Sequence, residues 1–371
     1  MISHLFYFEE HFFNYLFTDN LLNSRAMSYK HYTQYLILTI IFSNCSMSAP
    51  EEIAFFDKEI EYKAVKTEQI FTFEQIYQPR KMRLIGDLLF VADFQNNPAF
   101  HVLQMDENGE LTYLHGKGSE GRGPGEFQLI EDFMKTDSGI QIYDGGLLKL
   151  VEFDSQGMSA QSDDVYLKIK DRPITMNVLP DGNYIAAGIL FNDRFHIYDQ
   201  QGELKGQYGK QIAFDKEFIP RHLGISWYSY SVTHPEQNLV YLFSLSADFI
   251  EKYDSEGTLL KRVQGKEFPV PKKRIEVGNG TPWPVDDGGI YAYMWADRDD
   301  QFIYALYSGI KSAEAEHPRG NKVHKFDWNL NFAGAYELDH HPVMITPDGR
   351  GGIYSLYNTE EESEFRYQKL E

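Results

Sequence analysis

One pattern recurs five times along this 371-residue chain: an aromatic or apolar residue, Asp, two variable residues and then, in every copy but the last, Gly. The copies are HVLQMDENGEL at Asp106, KLVEFDSQGMS at Asp154, RFHIYDQQGEL at Asp199, FIEKYDSEGTL at Asp254 and KVHKFDWNLNF at Asp327. Alternation ahead of the Asp predicts a strand, and Asp-x-x-Gly predicts a tight turn into the next one. A weaker repeat, a hairpin with a polar turn, reads MRLIGDLLFVADF, FMKTDSGIQIYD, NVLPDGNYIAAG, SVTHPEQNLVYLFS, WADRDDQFIYALYS and MITPDGRGGIYSLYN. The aspartates lie 48, 45, 55 and 73 residues apart, the longest interval holding an insertion around KSAEAEHPRGN. A period near ~50 with four strands per unit predicts an all-β fold, the β-propeller. Six hairpins predict six blades of four antiparallel strands each. Helical solenoids are excluded, because no unit carries an apolar helical period.

The chain ends predict how the ring closes. The sixth unit stops at EFRYQKLE, its third strand, so one outer strand is missing. The segment EYKAVKTEQIFTF, residues 61–73, precedes the first hairpin and has no blade of its own. Pairing this N-terminal strand with the last blade removes both free edges. The glycine-rich HGKGSEGRGPGEF, residues 115–127, then falls between blades one and two. It is punctuation and not a phosphate cradle, since no helix follows to present its amides to a phosphate.

Composition narrows the function. With 25 Tyr, 27 Phe and 29 Gly, the chain favours many short strands joined by turns. A net charge of −20 repels phosphates and argues against a nucleic-acid partner. The single cysteine, Cys45, excludes an intrachain disulfide. Ahead of it lie Lys30, an apolar run from Tyr35 to Phe42, and small or polar residues. The run is too short to span a bilayer but suits an export signal. It resembles a bacterial lipoprotein signal, which is cut before a cysteine that then carries lipid. Phe42 and Asn44 depart from the strict pattern at the cleavage position. The expected organisation is therefore an upstream extension over 1–26, with translation starting at Met27, a lipoprotein-type signal over 27–44, a tether over 45–58 and the propeller over 59–371. The membrane is reached through the lipid anchor only, which places the protein in the bacterial cell envelope.

GKGSEGRGPGEF followed by a hairpin ending IYD and by KLVEFDSQG resembles the NHL-type propeller repeat, and FVADFQNNPAFHVLQMDENG has the same cadence. With the lipoprotein-like start, the chain is similar to six-bladed TolB-like propeller lipoproteins of Bacteroidetes-type bacteria. The resemblance covers residues 55–371 and implies the fold. It leaves activity open, since propellers of this shape serve as binding platforms or as hydrolases and lyases.

Two function classes follow: a binding or scaffold propeller for a peptide, glycan or partner protein, and a metal-dependent hydrolase or lyase. The second has no positive signal. Asp93, Asp144 and Asp297 are expected to hydrogen-bond to backbone near blade turns and not to hold a metal. His340 and His341 point to opposite faces of a strand, no Gly-x-Ser-x-Gly elbow is present, and no cofactor is implied. The loops leading into the innermost strands carry more information. They read YQPRKM, GPGEFQ, KDRPITM, IPRHLGISWYSY, GTPWPVDD and DHHPVMI. Their shared phase puts Arg80, Arg172, Arg221, His222, Trp227, Trp283 and His340 on one rim at the mouth of the channel. Basic and aromatic groups gathered in an acidic protein make a focused site for an anionic or sugar-like ligand.

Overall fold

The computed structural model describes residues 53–55 and 60–370, apart from short internal segments at 95–96, 161–163, 169–171, 191, 211–219, 266–270, 272, 279–280, 315–318 and 360–361. The residues expected to form a signal and Cys45, with most of those expected to form a tether, lie outside the described residues. Three short strands come first: β1 (Ile53–Phe55), β2 (Lys63–Val65) and β3 (Gln69–Phe71). Blade one is β4 (Pro79–Ile85), β5 (Leu88–Asp93), β6 (Phe100–Met105) and β7 (Leu111–Lys117). The glycine-rich link forms a minimal parallel pair, β8 (Ser119–Glu120) with β9 (Glu126–Phe127). Blade two is β10 (Ile130–Lys135), β11 (Ile140–Asp144), β12 (Lys149–Phe153) and β13 (Val165–Tyr166). Blade three is β14 (Arg172–Val178), β15 (Tyr184–Ile189), β16 (Asp193–Tyr198) and β17 (Leu204–Lys210).

A short helix, α1 (Pro220–Ser226), precedes blade four, which is β18 (Ser229–Thr233), β19 (Leu239–Ser244), β20 (Phe249–Asp254) and β21 (Leu259–Gln264). A separate hairpin, β22 (Lys273–Gly278) with β23 (Thr281–Asp286), follows. Blade five is β24 (Ile290–Arg298), β25 (Ile303–Lys311), β26 (Lys322–Phe326) and β27 (Phe332–Leu338). Blade six is β28 (Met344–Pro347), β29 (Gly352–Asn358) and β30 (Ser363–Lys369), completed by β3 in the order β28-β29-β30-β3. The expected closure by an N-terminal strand is therefore observed.

That closure is wider than expected. β1 pairs in parallel with the outer strand of blade four and β2 in parallel with that of blade five, so each gains a fifth strand. β1, β2 and β3 thus cover the outer edges of three successive blades. Side chains tie the segment down: the Tyr62 hydroxyl meets His324 Nε2 at 2.8 Å, and Asp339 accepts the amide and hydroxyl of Thr67 at 2.9 and 2.8 Å. Two loops of the sequence reading are corrected. IPRHLGIS contains α1, and TPWPVD is β23, because each finds backbone partners that apolar phasing alone does not show.

The five Asp turns share one geometry. Asp106, Asp154, Asp199, Asp254 and Asp327 each accept, on Oδ1, the amides two and four residues on, at 2.7–3.1 Å. Gly109, Gly157, Gly202 and Gly257 follow with φ between 67° and 81°, a region glycine enters freely. In the fifth turn Leu330 takes that place at φ 59°. A side chain there costs about 1–2 kcal/mol. Leu330 is buried in the core beside Phe326 and Val232, which returns about 1.5–3 kcal/mol, and so the turn survives without glycine.

Blades are locked by aromatics reaching their neighbours. Tyr143, Tyr241 and Tyr354 donate to the carbonyls of Pro173, Trp328 and Gly109, each in the next blade around the ring. Gly257 packs so closely on Tyr208 that a Cβ would stand 2.3 Å from its ring, whereas a Cβ on Gly86 meets nothing within 4 Å. Both glycines have positive φ. Gly86→Ala should therefore cost only the backbone strain of about 1–2 kcal/mol. Gly257→Ala should add an overpacking cost of about 1–3 kcal/mol. Denaturant melts of the two variants beside the parent check the difference, and equal costs would refute interblade contact at Gly257.

Candidate functional site

The inner strands converge on the axis, where every blade contributes at least one polar group to a shared network. Arg83 on β4 is central. Its Nη1 stands 3.3 Å from Asp132 Oδ1 of blade two, and its Nε 3.6 Å from Asp297 Oδ1 of blade five. The same Nη1 donates to the Phe133 carbonyl at 3.1 Å and to Asn177 Oδ1 of blade three at 3.3 Å. Asn177 Nδ2 donates to the carbonyl and hydroxyl of Ser231 in blade four, and the Ser231 hydroxyl meets that of Thr175 at 2.8 Å. Thr346 of blade six donates to Asp297 Oδ2 at 2.7 Å and accepts the Leu84 amide at 3.1 Å. The ring is closed through a continuous network, and the channel is plugged.

Electrostatics decides the protonation of this plug. Burial disfavours the charge of Arg83, but Asp132 and Asp297 outweigh it and raise the guanidinium pKa above its usual value. Burial also raises the pKa of Asp132, against the pull of Arg83 and Lys81. The two shifts oppose each other over the pair. The geometry favours the ionised form at neutral pH, since Asp132 faces a cation and accepts the amides of Phe133 and Met176 at 2.9 and 3.2 Å.

The two sides of the plug differ. Toward the face where the chain enters the inner strands, Lys81 Nζ lies 3.7 Å from Glu131 and 4.6 Å above the Trp295 ring, and Tyr230 packs edge-on against Trp295. Burial lowers the Lys81 pKa, partly offset by Glu131. Toward the opposite face, a cavity of about 420 Å³ is lined by Arg83, Asn177, Asp297, Thr233, Arg298 and Lys135 among others.

The residues anticipated from sequence separate in three ways. Arg80, second in β4, lines a groove of about 560 Å³ on the face where the chain enters the inner strands, and its guanidinium stacks 5.1 Å from the Phe94 ring. Arg172 opens β14, Arg221 lies in α1 and Trp283 in β23, while their side chains lie outside the described residues. His222, Trp227 and His340 are buried, which corrects their placement on an open rim. Trp227 packs on Phe249 and under the Arg194 guanidinium, and His340 bridges Asp339 Oδ1 at 2.9 Å and Ser355 Oγ at 2.8 Å. His341 is exposed, and both histidines lie in the loop between β27 and β28 rather than on a strand, which corrects that expectation. Asp93 and Asp144 take backbone amides as expected. Asp297 likewise accepts a backbone amide, that of Arg298 at 2.8 Å, and in addition faces the channel. Among the described residues, no group of three or more His, Cys, Asp or Glu side chains is arranged to hold a metal ion.

Residues 54–349 match the family described as TolB-like 6-blade propeller-like. The chain belongs to that family. Two crystal structures share the fold of this TolB-like propeller. A Bacteroides fragilis protein named "putative exported protein" superposes with a TM-score of 0.53 at 12% identity, over 86% of this chain and 99% of that one. A member of the DUF4221 family from Bacteroides vulgatus gives 0.51 at 12% identity, over 82% and 97%. At such identity the likeness is one of fold. No curated protein matches the sequence.

The plug of this TolB-like propeller was not visible to motif reasoning, and it carries a test. Arg83→Met leaves the buried Asp132 and Asp297 without their cation, which should cost about 3–5 kcal/mol at neutral pH. The Asp132 pKa, already raised in the fold, should rise further in the variant while its unfolded value stays put. Protonation then removes the penalty. The deficit should be largest above the folded pKa and shrink as pH falls through it toward the unfolded value. Denaturant melts at stepwise lower pH check this, and a deficit independent of pH would contradict it.

Proposed function

We infer that this TolB-like propeller is an extracytoplasmic binding module, held to a membrane by lipid on Cys45, that engages its ligand on the face where the chain enters the inner strands. The anchor reading is supported by the sequence from Lys30 to Cys45, and the location by the name of the Bacteroides fragilis neighbour. One observation carries the binding reading. Several arginines of the propeller are spent on carboxylates: Arg83 on Asp132 and Asp297, Arg194 and Arg262 on Glu251. Arg80 has no carboxylate partner among the described residues and borders an open groove. A cation that the fold does not use is available to a peptide, glycan or protein partner. Because the plug closes the channel, that ligand is bound at a blind surface and is not passed through.

Two measurements bear on this reading. Cys45→Ala should move the protein from the membrane fraction to the soluble fraction, because a multiply acylated cysteine is what holds such a domain stably. Unchanged fractionation defeats the anchor. In a thermal-shift screen of peptides and glycans, a true ligand should raise the melting temperature of the parent and leave Arg80→Ala, Arg172→Ala unshifted. Equal shifts in parent and variant place binding elsewhere.

A further inference from the structure

The groove at the seam between blades six and one combines features that point to one ligand chemistry. Its walls include Tyr77, Arg80 and Phe94 from blade one and Asn358, Glu362 and Ser363 from blade six. Tyr77 is 68% exposed and Phe94 54%, two of the few large apolar side chains that the described residues present to solvent. Exposed aromatics gathered in a groove mark a binding surface. Asn358 Oδ1 is buried yet accepts no hydrogen bond in the fold, an omission that costs about 1–3 kcal/mol unless something fills it.

The repeat supplies its own control. In blade one, Asp93 accepts the amides of Tyr77 and Gln78 at 2.7 and 3.1 Å, and the Phe94 amide donates to the Gln78 carbonyl at 3.0 Å. In blade two, Asp144 accepts the amides of Gln128 and Leu129 at the same 2.7 and 3.1 Å, and the Gly145 amide donates to the Leu129 carbonyl at 2.9 Å. Both inner strands carry a bulge at the same place, between Pro79 and Lys81 and between Ile130 and Asp132. The clamp is one structure built twice, and it uses backbone and Asp alone. Where blade one has Tyr77, Arg80 and Phe94, blade two has Gln128, Glu131 and Gly145. The fold therefore does not need the aromatic pair or the cation, and blade one displays them on a loop already held rigid.

We propose that this groove binds a neutral oligosaccharide. Resting on the binding-module reading above, the proposal names the ligand class. A sugar ring offers an apolar C–H face and a rim of hydroxyls that both donate and accept. Tyr77 and Phe94 give flat apolar surfaces to the first, and Phe94 is braced from one side by the Arg80 guanidinium at 5.1 Å. Arg80 donates, Glu362 accepts, and the Tyr77 hydroxyl does both, which matches hydroxyls of either sense. One cation and one anion leave the groove without net charge, so an acidic glycan gains nothing over a neutral one. The volume of about 560 Å³ suits a short oligosaccharide.

Affinity electrophoresis of the purified domain through gels holding α-glucan, β-glucan, xylan, mannan or polygalacturonate tests this, with titration calorimetry on oligosaccharides of any retarding polymer. At least one neutral polymer should retard the parent. Tyr77→Ala and Phe94→Ala should each weaken binding at least about tenfold with unchanged melting temperature, as blade two holds the same clamp without aromatics. Retardation by none of the neutral polymers, by polygalacturonate alone, or equally in parent and Tyr77→Ala, Phe94→Ala double variant overturns the proposal. Peptides that bind the parent in an Arg80-dependent way while no glycan does would leave the binding module standing and remove the sugar. If neither class binds, both readings fall.

Discussion

Arg83 holds carboxylates from two blades that are not neighbours, and the rest of the ring is organised around that span. Within a blade, the backbone ladders satisfy themselves. Between blades, sheets meet through apolar faces that tolerate small rotations. At the axis, six inner strands converge on polar side chains that have to be satisfied by one another. A guanidinium suits the position because its donors fan out in a plane, here toward Asp132, Asp297 and Asn177. The desolvation of three charges is large, and their attraction in a poor dielectric repays it only when geometry is good and remaining lone pairs are used. Those conditions are met only in part: Thr346 takes the second oxygen of Asp297 and the Met176 amide that of Asp132, whereas Arg83 Nε is buried without a hydrogen-bond partner and pairs with Asp297 at 3.6 Å. The arrangement is best understood as fixing how the blades are set around the axis, more than as adding net stability.

Closure at the perimeter uses different physics. Sheet edges present unpaired amides and carbonyls that invite other chains. The N-terminal segment covers those of blades four, five and six with only three residues of pairing at each, so no single contact is strong. Tyr62 and Thr67 add side-chain anchors between them, one on His324 and one on Asp339. Burial pushes His324 down to about 3, which keeps its ring neutral and able to share a hydrogen bond with Tyr62 at ordinary pH. The ring is thus pinned from inside by a few strong polar contacts and bound from outside by several weak ones.

What the sequence made legible follows from distance along the chain. The Asp turns were readable because the side chain bonds amides two and four residues on, so the whole device sits in one short window. The hairpins were readable for the same reason. Closure by an N-terminal strand came from counting strands. The parallel pairings of β1 and β2 left no trace, since three residues with no turn between the partners carry no period. The plug was hidden for a further reason. Bulges in β4, β10, β14 and β24 shift the in-and-out phase of the very strands that face the axis, so alternation cannot say which side chains enter the channel. Asp297 was assigned to a turn on that account. His222, Trp227 and His340 were placed at the right end of their blades but on the wrong side of the surface, because phase along a repeat fixes height and not burial. Arg80 borders an open groove, where no carboxylate among the described residues competes for it.

The same economy explains why fold travels so much further than function in this family. A blade is specified by an Asp that gathers amides, a residue tolerating positive φ, and apolar strands of the right length, and most of those interactions run through backbone. The two clamps at Asp93 and Asp144 agree in distance although no side chain around them is shared. Structures at 12% identity can therefore superpose over nearly their whole length. Chemistry is written at positions such as Tyr77 and Phe94, which the clamp holds in place but does not choose. A propeller of this kind is a frame whose constant parts are satisfied internally, and its specificity has to be sought in the polar groups the frame leaves unspent.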